Sequence, residues 1–444
     1  MRGERRRKVL YAWLWPALAI AAAGCCSLES AYVRQSQRDA DWLLERPVAG
    51  EAGAHVGVDL DLAALEALLN QPEILCAMPA YRHRERVEIA AGEALGFEVW
   101  ARVERLSLRA AARDCLQIGL GLDLGLRLEL PGLLSAIWQG LEGPYRLPGS
   151  ISARAGLRPE LRADGSTLLR LDLDRVQVEG FDLPVERLPE KIREPAARVL
   201  SGLGSAVSAF HLSALPLVRF GPLETGLGEL SAAVSELRTD AGSNRLFAGL
   251  RLNLEVPGAR LGPDFDRPQR ADVRVRLCAG LLESAVRALM ARGRIPRRFD
   301  GDFQPDPEGE YGVSLLAIAY EQAGLRASFR LWHLSWPCFF ADLQARGSVD
   351  VSDQGRFRAR LSEVRLLQAS RFADRIRARL WKQTRWAADL AALSEGLLNE
   401  RYLGIPGLEL IWRPVRYELG SAGVELEARL EGKIPALTDR PIRM

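Results

Sequence analysis

The stretch that decides the fold is Leu116-Gln-Ile-Gly-Leu-Gly-Leu-Asp-Leu-Gly-Leu-Arg-Leu-Glu-Leu130. Every even position holds Leu or Ile, and every odd position holds Gln, Gly, Asp, Arg or Glu. Because successive side chains of a strand point to opposite faces, this pattern predicts one β-strand with an aliphatic face and a polar face. At about 3.3 Å per residue it would run about 50 Å, far beyond the usual ~17–20 Å. Such a strand needs an equally long apolar surface opposite it: another sheet, helices, lipid or an elongated cavity.

Three glycines, Gly119, Gly121 and Gly125, lie on the polar face of this strand. Glycine in a strand allows sharp bending or the close approach of a neighbouring backbone. Their shared position predicts a sheet that curls around its aliphatic side. The alternative is a flat sheet that packs on helices and encloses no cavity.

The pattern around this strand occurs twice along the chain. Residues 56–70 alternate as a strand and then take a helical period, and residues 273–290 repeat that unit. Several alternating strands, a long helix (185–214 or 371–398) and closing strands follow each time. We therefore predict an α+β fold of two pseudo-repeated units. Each unit is a long, strongly bent antiparallel β-sheet wrapped around a long helix.

The first residues have the order of a secretory leader. Residues 1–8 are basic, and residues 9–23 form an apolar run that is short for a membrane span. The motif Ala22-Ala-Gly-Cys25 resembles the lipobox of bacterial lipoproteins. That resemblance implies cleavage after Gly24 and a lipid, palmitate included, on Cys25, with the lack of a following Asp implying the periplasmic side of the outer membrane. The alternative is an ordinary signal peptide.

The net charge of +3 belongs to this leader, because residues 1–24 hold five basic residues and one acidic residue. The mature chain would be close to neutral, so its charge indicates no nucleic-acid partner. Its length exceeds one typical domain. The boundaries we predict are a signal peptide at 1–24, a tether at 25–54, an N-terminal unit at 55–257, a Pro- and Gly-rich linker at 258–270, and a C-terminal unit at 271–444.

Four cysteines follow the pair at the leader, two in each half of the chain: Cys76, Cys115, Cys278 and Cys338. An oxidising compartment favours disulfides, and the bridges within each half, Cys76–Cys115 and Cys278–Cys338, are the natural candidates. Sequence alone allows three pairings, and buried free thiols are the alternative.

Catalytic and metal motifs are missing from the sequence. The histidines His55, His83, His211 and His333 have no metal-binding spacing, and no Gly-x-Ser-x-Gly or phosphate loop is present. The acidic segment 300–310 departs from the EF-hand spacing and reads as a solvated loop. We expect no enzyme activity, no cofactor and no resident metal.

The order of elements over about 55–433, carried by residues 56–70 and the aliphatic face of 116–130, resembles the tubular lipid-binding (TULIP) superfamily. Bactericidal/permeability-increasing protein (BPI) is a member. The resemblance implies a bent sheet around a long helix, an apolar tunnel for acyl chains, and no catalytic residues. The expected tunnel wall consists of Ile118, Leu120, Leu122, Leu124, Leu126, Leu128, Leu250, Leu252 and Leu254.

The predicted function is therefore that of a periplasmic lipoprotein, held to the outer membrane by its N-terminal lipid, that binds or carries a lipid or other hydrophobic small molecule. Two alternatives stay open. One is an integral outer-membrane β-barrel whose aliphatic faces meet lipid. The other is a structural or scaffold lipoprotein with filled cores and no ligand.

Overall fold

The computed structural model describes residues 27–39, 53–90, 93–111, 114–129, 144–161, 167–182, 231–256, 261–293, 295–321, 324–336, 338–351, 357–370, 409–420 and 423–433, with shorter pieces at 185–190, 193–194, 196–197, 199–200, 210, 219–220 and 403–404. These residues form mostly antiparallel β-sheet with few helices. No helix among them is long and apolar enough to span a bilayer.

The strands in chain order are β1 (Val56–Asp61), β2 (Tyr81–Ala90), β3 (Glu93–Ala110), β4 (Cys115–Glu129), β5 (Tyr145–Leu161), β6 (Thr167–Asp182), β7 (Arg219–Phe220), β8 (Ala232–Asp240), β9 (Arg245–Leu252), β10 (Val273–Cys278), β11 (Arg298–Phe299), β12 (Tyr311–Glu321), β13 (Gly324–His333), β14 (Phe339–Val351), β15 (Phe357–Ala369), β16 (Leu403–Gly404), β17 (Glu409–Gly420) and β18 (Gly423–Lys433). The helices are α1 (27–39), α2 (Leu62–Leu69), α3 (Pro72–Ala77) and α4 (Leu281–Ala291), and a 3-10 turn covers Val185–Arg187.

Three sheets contain these strands. The N-terminal sheet has the order β16-β7-β6-β5-β4-β3-β2, the central sheet β17-β18-β10-β1-β9-β8, and the C-terminal sheet β11-β12-β13-β14-β15. The central sheet was not expected from the sequence. It joins strands from both halves of the chain, because β1 pairs on one side with β9 and on the other with β10.

The strand predicted from 116–130 is β4, and its bounds agree within one residue at each end. Its even positions are buried, as the alternation requires, while Gln117, Arg127 and Glu129 are exposed. In the sequence of β3, the apolar alternation that runs through Val103 changes phase at Leu106, which predicts a bulge. The bulge is present, since the register of β3 against β4 shifts between Val103 and Arg105. An extra residue there moves the apolar side chains of β3 back to the inner face.

Trp100 explains one of the three glycines on the polar face of β4. Gly125 lies directly opposite Trp100 in the β3–β4 register. The indole ring covers the Gly125 backbone so closely that a Cβ there would overlap the ring. Gly125 is thus required by the close approach of an aromatic side chain on the outer face.

Helix α2 begins at a capped residue and then supplies hydrogen-bond partners to β3. The Asp61 carboxylate accepts a hydrogen bond from the Ala63 N–H at 2.8 Å, which caps the helix. Farther along, the Glu66 carboxylate accepts from the Leu108 N–H at 2.9 Å, and the Asn70 side chain accepts from the Leu106 N–H at 2.7 Å. These bonds satisfy backbone groups of β3 beyond the part that pairs with β2.

The segment predicted as a tether contains a docked helix, which differs from that expectation. Helix α1 crosses the C-terminal sheet and buries Tyr32 and Asp39. The Tyr32 ring meets Trp332 edge-on at 6.3 Å, and the Asp39 carboxylate lies 2.9 Å from Arg287 and 3.2 Å from Arg297. Contacts with residues more than 240 positions away hold α1 in place. The composition of residues 27–39 alone does not predict these contacts.

The predicted linker also packs closely. Residues 261–272 cover the polar face of the central sheet at β1 and β10. The Asp264 carbonyl accepts a hydrogen bond from Arg274 at 2.5 Å, and the Gly262 carbonyl accepts from Arg276 at 2.6 Å. Beneath this cover, Arg274 donates to the fully buried Asp59 at 3.1 Å.

Neither predicted disulfide is formed. Cys76, Cys115 and Cys278 take part in no disulfide bond, which excludes both Cys76–Cys115 and Cys278–Cys338. Cys278 is at the end of β10 and buried, whereas Cys76 is exposed on α3. Equal numbers of cysteines in the two halves were therefore no guide to their pairing.

Several predictions fall outside the described residues. They concern Cys25, the leader at 1–24 and the long helix at 371–398. Of the other long helix, predicted at 185–214, only scattered residues are described.

Candidate functional site

The largest apolar core lies on the inner face of the N-terminal sheet. The six predicted wall residues of β4 have exposed fractions between 0 and 3%. They belong to one cluster with the buried leucines of α2 and the inner side chains of β3. The six side chains on the inner face of β4 are thus part of one apolar core. Their contact with a ligand stays a prediction. The six are Ile118, Leu120, Leu122, Leu124, Leu126 and Leu128.

The other three predicted wall residues come from the central sheet and its continuation. Leu250 and Leu252 lie on β9, Leu254 follows it, and all three are buried in the same cluster as the β4 face. Strands β4, β5 and β6 each contact β8, the neighbour of β9. The two sheets therefore face each other across a shared apolar interior.

The segment after β6 also contributes to this interior. Leu188, Ala196, Val199 and Leu200 are buried and belong to the same cluster. The alternation of β4 predicted that something apolar must cover its inner face, and these residues are part of that cover.

A second, smaller apolar core lies between α4 and the C-terminal sheet. Val286 and Met290 of α4 pack against Leu315, Phe329 and Ala345. The tunnel wall expected from the sequence includes no residue of this half. The helical period of 281–290 beside alternating strands predicts a packed core as readily as it predicts a ligand site.

An open groove of about 840 Å³ lies along β8. Leu157 and Pro159 of β5 form one side, and Phe265 of the segment 261–272 closes another. Its lining mixes apolar and charged side chains, Glu236 and Arg238 among them, so it lacks the mainly apolar lining of a lipid site.

A Ser–His–Glu cluster in the C-terminal sheet has the residue types of a hydrolase but not the geometry. The Ser335 hydroxyl lies 3.1 Å from His333 Nε2 and donates to Glu310 Oε2 at 3.0 Å. In a catalytic triad the acid binds the nitrogen that does not face the nucleophile. Here Glu310 lies 3.6 Å from the same Nε2, so it cannot orient the imidazole for that role.

The acidic segment 300–310 is organised by its own backbone. The Asp300 carboxylate accepts hydrogen bonds from the Asp302 N–H at 2.9 Å and the Gln304 N–H at 2.8 Å, and Asp306 accepts from Glu308. Within the described part of the chain, no three His, Cys, Asp or Glu side chains are grouped so as to hold a metal ion.

Two buried titratable groups lie where the halves meet. The Nδ1 atom of His55 accepts a hydrogen bond from the Leu252 N–H at 3.2 Å. Burial, with a smaller effect of the Arg251 cation, lowers the pKa of His55 to about 4. Burial raises the pKa of the Cys278 thiol to about 11, which leaves it protonated and unreactive near neutral pH.

No family model matches this sequence, and neither does any curated protein. Two solved structures are similar over most of the chain. A crystal structure of lipopolysaccharide binding protein is 11% identical with a TM-score of 0.33, covering 86% of this chain and 99% of that one. P47 of Clostridium botulinum E1 is 7% identical with a TM-score of 0.38, covering 86% and 100%. At such identities no site residue transfers from either structure.

Proposed function

We propose that this protein binds a lipid or another long apolar molecule between the inner face of β4 and the residues Leu188, Ala196, Val199 and Leu200 that help to cover it. The observation that carries the proposal is the continuous aliphatic face of β4, which is buried over its whole length. An acyl chain placed there would replace protein contacts of the same chemistry. Each buried CH₂ group contributes about 0.8 kcal/mol, so a long chain binds without any polar recognition.

We further propose that the chain consists of two related units of the tubular lipid-binding type. The repeat 56–70 and 273–290 supports this, because β1 and β10 are neighbours at the centre of the central sheet. On the outer sides, the hairpins β8–β9 and β17–β18 occupy matching places.

A side-chain contact supports the same repeat. When Val56 is aligned with Val273, Glu66 falls on Glu283. Glu66 accepts the Leu108 N–H at 2.9 Å, and Glu283 accepts the Ile318 N–H at 3.0 Å. In both halves an acidic side chain from the helix after the first strand thus holds the backbone of a long strand.

The location we propose is the periplasmic side of the outer membrane, with the chain anchored by a lipid on Cys25. The support is the leader sequence and its lipobox-like end. Mass spectrometry of the N-terminal peptide from membrane-purified protein tests this: the expected product begins at Cys25 and carries acyl chains. An unmodified N-terminus would contradict the anchor but not the ligand site.

Native mass spectrometry of gently purified protein tests the ligand site. The wild-type chain should carry co-purified lipid or take up an added long-chain fatty acid. Leu124→Trp fills space at the middle of the β4 inner face and should lower the lipid bound per folded molecule. Leu124→Phe provides a milder change if the Trp variant folds poorly.

The matched control is Arg127→Trp, which places the same side chain on the same strand but on its exposed outer face. Arg127 has only a weak surface ion pair at 3.9 Å from Glu98, so its loss should leave lipid uptake and folding unchanged. Equal uptake by Leu124→Trp and Arg127→Trp at matched folded fraction would show that the β4 face is core only.

A scaffold protein without ligand is the second candidate. The observation that favours it is the near-complete burial of the β4 leucines, since a filled core would look the same. Wild-type protein that carries no co-purified lipid and binds no added fatty acid would support this candidate.

A further inference from the structure

The end of the C-terminal sheet where α1 begins carries a large exposed aromatic side chain. Trp336 lies in the connection between β13 and β14, and 71% of its surface is exposed. On either side of this connection, Leu334 and Phe340 belong to one apolar cluster that also includes Leu28, in the first turn of α1. The start of α1 and the exposed indole therefore lie at the same end of the sheet.

The orientation of α1 is fixed by contacts along its length. Near its middle, the Tyr32 hydroxyl donates to the Arg297 carbonyl at 3.2 Å. At its C-terminal end, the buried Asp39 binds two guanidinium groups, from Arg287 and Arg297. A buried carboxylate with two such partners is costly to remove, so α1 does not swing freely on the sheet.

This docking leaves little chain between the proposed lipid anchor and the folded body. Cys25 precedes Ser27 by two residues, which span at most about 7 Å. A lipid on Cys25 must therefore enter the bilayer within that distance of the first turn of α1. The remaining length is far shorter than the flexible tether expected from residues 25–54.

We propose that this end of the C-terminal sheet rests on the bilayer that holds the anchor, with the Trp336 indole inserted at the headgroup level. The inference rests on the proposed Cys25 lipid and adds the surface and orientation of the contact. Trp suits this role because its ring is apolar while its N–H bonds to interfacial water and headgroups.

Two more exposed apolar side chains support this placement. Leu366 and Leu367 of β15 are 40% and 54% exposed. Leu366 lies opposite Leu343 near the start of β14, and Ser370 at the end of β15 is bonded to Phe340. Trp336, Leu366 and Leu367 thus belong to the same end of the sheet, the one that contains the β13–β14 connection.

Hydrogen exchange of the lipidated full chain on vesicles of phosphatidylethanolamine and phosphatidylglycerol tests the proposal. The reference is the Cys25→Ser chain free in buffer. Amides of 334–340 should exchange several-fold more slowly on the vesicles. The turn at 241–244, between β8 and β9, should exchange equally in both states.

A variant measurement accompanies the exchange experiment. Trp336→Ser should weaken vesicle binding of the Cys25→Ser chain several-fold, whereas Val415→Ser, at a 51% exposed residue of β17, should leave it unchanged. Both sites are exposed, so neither change should disturb folding.

The outcomes separate the inference from the proposals it rests on. Anchored protein with unprotected 334–340 amides overturns the bilayer contact while the anchor stands. An N-terminus without lipid, seen by intact mass, overturns both. Lipid uptake in the interior is read independently by native mass spectrometry and is unaffected by either result.

Discussion

At the scale of single residues, His55 is the clearest link between burial and a measurable property. It lies just before β1, where its backbone N–H donates to Leu250 at 2.9 Å and its carbonyl accepts from Cys278 at 3.0 Å. Its imidazole is buried and accepts a hydrogen bond, so the neutral form is the one that the folded protein holds. The sequence predicted a strand that begins next to His55, but it did not predict that the imidazole is buried and accepts a hydrogen bond.

We predict that protonation of His55 weakens the folded state below neutral pH. The pKa of about 4 lies under the ordinary value of 6.5, so the unfolded chain takes up the proton first as pH falls. Stability is therefore present above pH 6.5 and is lost between pH 6.5 and pH 4, by up to about 3 kcal/mol.

Urea unfolding at pH 7.5 and pH 4.5 measures this loss. His55→Asn keeps an acceptor for the Leu252 N–H but does not titrate. The variant should lose about 2 kcal/mol less stability between the two pH values than the wild type. Identical pH dependence in both proteins would show that His55 does not carry the effect.

At the scale of elements, the alternation of apolar residues correctly predicted those strands whose bounds and buried face depend only on their own sequence. The alternation of 116–130 fixed β4 and its buried face, and the phase shift after Val103 located the bulge in β3. A strand's period depends only on which of its side chains are apolar. The docking of α1 and the cover formed by 261–272 depend instead on distant partners, so their composition looked like tether and linker.

The acidic side chains that hold long strands give a prediction at this scale. Glu66→Ala and Glu283→Ala each leave a strand N–H, of Leu108 or Ile318, without its partner. Each should cost about 1–3 kcal/mol, while the Gln variants, which keep an acceptor oxygen, should cost less. Denaturant unfolding of the four variants measures this, and a large loss in only one half would contradict the matching roles.

At the scale of the whole molecule, the central sheet makes the two halves of the chain share one structure. Its middle strands are β1 and β10, and the buried Asp59–Arg274 pair crosses between them. The sequence pattern instead predicted two separate units joined by a linker. Nothing in the alternation of β1 or β10 says which strand lies beside it, because pairing partners are set by the topology of the whole chain.

Breaking this pair should therefore affect both halves. Asp59→Ala leaves the buried Arg274 guanidinium without the Asp59 carboxylate to which it donates and should cost about 3–5 kcal/mol, whereas the double change Asp59→Leu with Arg274→Met should cost less. Native-state hydrogen exchange reports the effect on each half. Protection in β4 and in β13 should fall together in Asp59→Ala, and a loss confined to one half would contradict the shared structure.

The strand order also bears on how the chain folds as it is made. Strand β16, from residues 403–404, pairs with β7, and β18, from residues 423–433, pairs with β10. Synthesis runs from the N-terminus, so both pairings wait until more than 400 residues have been produced. Until then β10 has an open edge able to pair with other chains. A nascent chain of this topology therefore needs protection from such pairing until its last strands arrive.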